Sequence, residues 1–378
     1  MAKTTDIEIP QPRDNAVLIG HAAIEQHFLQ EFAQGKVHHA YLITGPKGIG
    51  KATLAYRFAR YVLGEGAQAA KVEEAPSFSL FGDEPATPST SAGAATLDMD
   101  PEHPIFRRVA AGSHSDLLTL TPAYDAKKGV EKSIIPVEEA RKVPEFMSLT
   151  AAEGKWRVVI IDAVDQLNAN AANALLKILE EPPAHAMLFL VCHQPGAILP
   201  TIRSRCRLLK MNAPDADAFA EILNRIAPDI PGHEYAALYA LSYGSPGHAI
   251  TLFQEEGLKW YEGWLKAMQP GASHAERQKF ADAVGYVKSP AGWAAIIHAW
   301  HVAMQRLTLF PHYDANAPIL RREGELLAAI AAQVPPRARA AWVEKGNALI
   351  AQTETFHLDK RQTIRLLADP AQLEMVAA

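Results

Sequence analysis

Residues 45–53 read GPKGIGKAT, and few nine-residue stretches restrict a fold more tightly. The pattern G-x-x-x-x-G-K-[ST] is met at Gly45, Gly50 and Lys51, with Gly48 between them; the hydroxyl expected next is replaced by the methyl of Ala52. Three glycines let the backbone turn its N–H groups, and the start of the following helix, toward an anion. Lys51 adds a point charge for the outer phosphates. The missing hydroxyl is the one that would reach Mg²⁺, and Thr53, one residue along, is rotated about 100° around a helix and does not simply replace it.

The flanks supply the context that the motif requires. Ala40 to Thr44 (AYLIT) reads as a short buried strand, and Ala52 to Leu63 as a helix with apolar residues at helical spacing. Strand, glycine loop and helix in this order predict a P-loop fold, with Gly45, Gly48, Gly50, Lys51 and Thr53 as a degenerate nucleotide site. A chain of 378 residues has room for two or three domains, and 48% hydrophobic with 21% charged residues suits a globular protein. The N-terminal segment lacks the apolar core of a signal peptide and no run of eighteen apolar residues occurs, so a cytoplasmic protein with no membrane partner is expected. Two cysteines make neither a disulfide framework nor a cysteine zinc site, and a net charge of −5 argues against a nucleic-acid binder held by charge alone.

Ala22 to Ala33 reads as an amphipathic helix, and the His38–His39 pair as packing, with no ligand partner at metal spacing. Residues 64–104, rich in Ala, Ser, Pro and Thr, lack periodic apolar positions and read as a disordered surface insertion; Phe78, Leu80 and Phe81 offer a lesser reading as a docking segment. Alternating units follow: strand Asp116 to Thr121, helix Val137 to Leu149, strand Arg157 to Asp162, helix Ala169 to Glu180, strand Met187 to Cys192. Such alternation predicts an α/β domain, a mostly parallel sheet with helices on both faces and its site at the carboxyl ends of the strands. Asp162 stands where a P-loop enzyme places the carboxylate that holds Mg²⁺ through water, and Ala163 follows where a water-orienting glutamate is usual.

The run IIDAVDQLNANAANALLKILEEPP, followed by LPTIRSRC, resembles the clamp-loader branch of the AAA+ ATPases, and within it the delta-prime family of the bacterial DNA polymerase III loader. LIGH at 18–21, HHAYLITGPKGIGK, SHSDLLTL and IIPVEEARKV keep the same order. The resemblance covers Leu18 to about Lys210 well and the rest weakly. It implies a P-loop AAA+ domain over 1–210, a small helical lid over 211–270 and an all-α collar over 271–378 through which five subunits associate. The helical readings beyond Pro214 fit that division: Asp215 to Ala227, Glu234 to Ser242 and Gly247 to Glu255, then Ala275 to Val284, Ala291 to Leu309, Arg322 to Val334, Ala338 to Ala351 and Lys360 to Ala368. Trp293, Trp300 and Trp342 read as core filling between helices, with interface anchoring as the alternative.

Three departures from an active family member agree with one another. Ala52 lacks the metal ligand, Ala163 lacks the water-orienting carboxylate, and Gly247 stands where the family's motor subunits carry a phosphate-sensing arginine. The four-cysteine zinc module of many relatives is absent between Gly64 and Gly112, so zinc is not expected. What the resemblance retains is Arg205 in Ser204-Arg205-Cys206, the arginine that reaches a neighbour's ATP; the bland alternative is a solvated basic cluster with Arg203, Arg207 and Lys210. Such a finger is worth about 10³ to 10⁵ in rate, because a planar, permanent cation neutralises charge on the transferring phosphoryl group. The expectation is a non-hydrolysing, stator-like subunit with ATP or ADP at most a passive ligand. Its partners would be the motor (tau/gamma) and delta subunits, with the sliding clamp and primer-template DNA reached through the complex. The alternative is a working motor that uses Lys51 and Asp162 on its own ATP.

Overall fold

The computed structural model describes residues 7–73, 96–122, 124, 125, 130, 131, 135–312 and 318–369, with backbone alone for 65–73, 124, 125, 130 and 131. The chain separates into two compact units, one of residues 10–214 and one of residues 215–378 together with 1–9. In the first unit, α1 (Ala22–Ala33) precedes β1 (Ala40–Thr44), and α2 (Lys51–Glu73) starts inside the glycine loop. Next come α3 (Pro104–Ala110), β2 (Leu117–Leu120), the two-residue strands β3 (Tyr124–Asp125) and β4 (Val130–Glu131), and α4 (Val137–Ser148). The unit closes with β5 (Arg157–Asp162), α5 (Ala169–Glu180), β6 (Ala186–Cys192), α6 (Pro200–Arg203) and β7 (Arg207–Lys210).

Five strands form one sheet in the order β2-β5-β6-β1-β7, and every pairing is parallel. Burial on both faces explains why β1, β5 and β6 are near-continuous apolar runs instead of alternating ones. Alternate residues nevertheless enter different cores. Tyr41, Ile43, Val158, Ile160 and Phe189 join α1 and α2 on one face, while Leu42, Val159, Ile161, Leu188 and Leu190 meet α4 and α5 on the other. On the first face Phe28 stacks on Phe58 with ring centroids 3.9 Å apart. The strand order reverses around β1, between β6 and β7, which is where open α/β sheets form a ligand crevice.

Residues 64–104 differ from the expected surface insertion at both ends. The P-loop helix runs ten residues past Leu63, to Glu73, because Ala, Glu, Gln and Lys are strong helix formers even without an apolar stripe. At the other end Leu97 is buried in the α1–α2 core and Asp98 pairs with Arg57 of α2 at 2.8 Å. Residues 74–95, with Phe78, Leu80 and Phe81, lie outside the described residues.

The second unit is helical: α7 (Ala216–Ile226), α8 (Tyr235–Leu241), α9 (Pro246–Gln254), α10 (Gly257–Ala267), α11 (His274–Gly285), α12 (Pro290–Leu309), α13 (Glu323–Gln333), α14 (Pro336–Phe356) and α15 (Lys360–Leu367). One continuous core runs from Phe219 of α7 to Leu367 of α15, crossing the expected lid–collar boundary near 270 without a break. Trp293, Trp300 and Trp342 are all buried in it, as core filling predicts. Among the described residues no helix is long and apolar enough to cross a membrane.

Candidate nucleotide site and arginine surface

The glycine loop is built by conformations that side chains resist. Gly45, Gly48 and Gly50 have φ of +147°, +84° and +95°, and a Cβ on Gly45 would lie 2.3 Å from the Met211 carbonyl oxygen. At Gly50 a Cβ would meet Leu18 Cδ1 at 2.5 Å, so the segment before α1 lies directly on the loop. That segment is tied down by α2. Arg60 donates to the carbonyls of Arg13 and Asn15, while Arg57 reaches the Ala16 carbonyl and the Glu25 carboxylate. His21 Nε2 lies 3.1 Å from the Ile49 carbonyl, which fixes the other side of the loop.

Lys51 begins α2 and is 2% exposed. Its Nζ donates to the Gly45 carbonyl at 2.7 Å and to that of Pro46. Burial pushes its pKa down to about 8, against the nearby Asp162 carboxylate, which pulls it up. Ala52 is partly buried beside it, and Thr53 is buried one position further.

Opposite the loop, β5 ends at Asp162 and β6 at Cys192, with Asp162 in register with Val191. The residue after β6, His193, places Nε2 4.0 Å from Asp162 Oδ1. Burial, reinforced by the Lys51 ammonium, lowers the His193 pKa to about 4, so its ring is neutral at pH 7. Asp165 accepts the backbone N–H groups of His193 and Gln194 at 3.0 and 3.2 Å, pinning this strand end to the turn after β5. Lys51, Asp162, Asp165 and His193 thus gather at the carboxyl ends of three strands. Sequence reasoning reached the first two and missed His193, whose signal is its position just past the buried run AMLFLVC. Cys192 and Cys206 are pushed up by burial, to about 11 and about 12, which leaves both thiols protonated and inert at neutral pH.

Arg205 sits elsewhere in the unit, in the turn between α6 and β7, an edge strand. Its side chain is 35% exposed. NH2 pairs with Glu180 Oε1 at 2.8 Å, while NH1 donates to the Thr201 carbonyl at 3.0 Å and to Ser204 Oγ at 3.3 Å. Its basic neighbour Arg207 turns away, to Glu31 and His27 of α1. Gly247 is in α9 of the helical unit.

The parallel five-strand order, the glycine loop after β1 and the acidic end of β5 define a P-loop module of the AAA+ type. The family model for DNA polymerase III, delta subunit, matches residues 20–79 and 95–215. The chain is 38% identical over 208 residues to the DNA polymerase III subunit delta' of Pseudomonas aeruginosa, covering 55% of this chain and 53% of that protein. It is 30% identical over 268 residues to the same subunit of Escherichia coli, 70% of each chain. It therefore belongs to the family of DNA polymerase III delta-prime subunits. The Escherichia coli tau subunit is more distant, 26% identical over 63% of this chain and 31% of that protein. The chain spans about half the length of the Pseudomonas relative. A solved gamma subunit-related protein of Thermotoga maritima aligns over 93% of this chain and 92% of that one, with a TM-score of 0.36 and 15% identity.

Proposed function

We propose that this chain is a non-hydrolysing, stator-like subunit of a clamp loader, which lends Arg205 to the ATP bound by a neighbouring motor subunit. The observation that carries the reading is the contrast between the chain's two phosphate-directed cations. Lys51 is buried and turned onto carbonyls of its own loop, in a site with Ala52 and Ala163 where the metal ligand and water-orienting group belong. Arg205 is part-exposed on a surface turn, where a second chain can approach. The retained loop shape, with Lys51 and Asp162, supports ATP or ADP as a passive ligand; the missing hydroxyl and carboxylate weigh against turnover. Family membership supports tau/gamma and delta subunits as partners, the sliding clamp and primer-template DNA as contacts of the whole complex, and the cytoplasm as its place.

The test is DNA- and clamp-stimulated ATP hydrolysis by the reconstituted loader carrying Arg205→Ala. A fall of at least a hundredfold at the neighbouring site is expected. Full stimulated turnover in an intact complex would overturn the finger assignment.

A further inference from the structure

We infer that Glu180 is a positioning residue for Arg205: its carboxylate stores the guanidinium against its own chain and competes with the neighbour's phosphoryl group for it. The inference rests on the finger reading above. A guanidinium offers its N–H edges to carboxylate and phosphate in the same planar manner, so an edge that holds one is withheld from the other. Both terminal nitrogens of Arg205 face groups of this chain. NH2 is 2.8 Å from Glu180 Oε1, and NH1 is held by the Thr201 carbonyl and Ser204 Oγ.

Glu180 is the last residue of α5. A carboxylate there faces the negative end of the helix dipole, an unfavourable place that a cation from outside the helix offsets. Arg205 supplies that cation from beyond α6. The adjoining carbonyl at this helix end, that of Leu179, is 3.1 Å from His39 Nε2, so the end is fixed to the chain just before β1 and presents Glu180 from a set place. The pair is open to water, with side chains 35% and 49% exposed. An exposed pair biases an equilibrium by a factor of about two to five, not by orders of magnitude. That is strong enough to hold the arginine back while the complex idles, and weak enough for a phosphoryl group with bound metal to displace it.

The experiment uses the complete reconstituted loader with full-length chain, measuring ATP turnover without clamp or DNA and then with both. Glu180→Gln keeps the side-chain shape and removes the charge. It is expected to raise the unstimulated rate about two- to fivefold, leave KM for ATP unchanged, and change the stimulated rate less. Glu180→Asp is expected to restore most of the restraint. The double variant Glu180→Gln/Arg205→Ala should turn over at the rate of Arg205→Ala alone. An unstimulated rate that is unchanged or lower in Glu180→Gln, or a gain that persists in the double variant, would overturn the role of Glu180 while leaving the finger standing. If Arg205→Ala by itself leaves turnover intact, the finger reading falls instead, and the role given to Glu180 falls with it.

Discussion

Lys51 carries its charge into a place that opposes it. Its pKa of about 8 lies below that of a solvated lysine, because burial outweighs the pull of Asp162. The burial cost is therefore present in full below about pH 8, and it is relieved as pH rises from there toward the unfolded lysine's value. A phosphate beside Nζ would favour the ammonium and raise the pKa, so nucleotide binding near pH 8 should take up roughly half a proton. Titration calorimetry with ADP at pH 8, in buffers of differing ionisation enthalpy, should give apparent enthalpies that track the buffer, and Lys51→Ala should abolish the trend. Equal enthalpies in all buffers would show that the lysine does not change state on binding. His193, held neutral near the same charges, contributes no cation to that balance at neutral pH.

Among the elements, what could be read from the sequence follows the strength of local signals. The strands β1 and β5 and the helices α1 and α5 fall on the residues expected from their apolar runs and helical spacing, and Lys51 and Asp162 come with them. Elements without such signals were missed. The expected end of α2 at Leu63 ignored a helical tail that carries propensity but no stripe. α10 went unseen because it opens on Gly257, behind Glu256 in a left-handed conformation with φ of +56°, so its start looks like a break. β7 is four residues long and mostly exposed, with too little burial to leave a pattern. His193 and the Arg205–Glu180 pair depend on contacts between strand ends or between a turn and a helix end, which no single stretch encodes. The helical unit hides a similar contact. Glu323 at the start of α13 binds Arg306 of α12 at 2.6 and 2.7 Å, accepts the Ile319 N–H at 2.7 Å, and receives the Tyr261 hydroxyl of α10. Glu323→Ala takes a hydrogen-bonded carboxylate away from a buried guanidinium, and is expected to cost about 3–5 kcal/mol. Urea unfolding monitored by tryptophan fluorescence would measure it, and a loss below about 1 kcal/mol would mean that the cluster relaxes.

For the molecule as a whole, the two units own separate cores, and even the amino terminus respects the division. Ile7 packs with the helical core and its carbonyl accepts from Gln254, whereas the sheet unit begins at Pro10. A fragment of residues 10–214 should therefore fold alone, giving one cooperative thermal transition by circular dichroism. A broad or absent transition would show that the helical unit is needed to complete it. The Lys51 contacts bear on the same unit in another way. With the Lys51 ammonium donating to the carbonyls of Gly45 and Pro46, the glycine loop is braced by contacts within the chain, which act whether or not a nucleotide adds its own stabilisation. On the stator reading proposed above, a loop braced this way would hold its shape when the cell's energy charge falls. The ATP-to-ADP ratio would then set the pace of the proposed motor neighbours more than the folding of this chain.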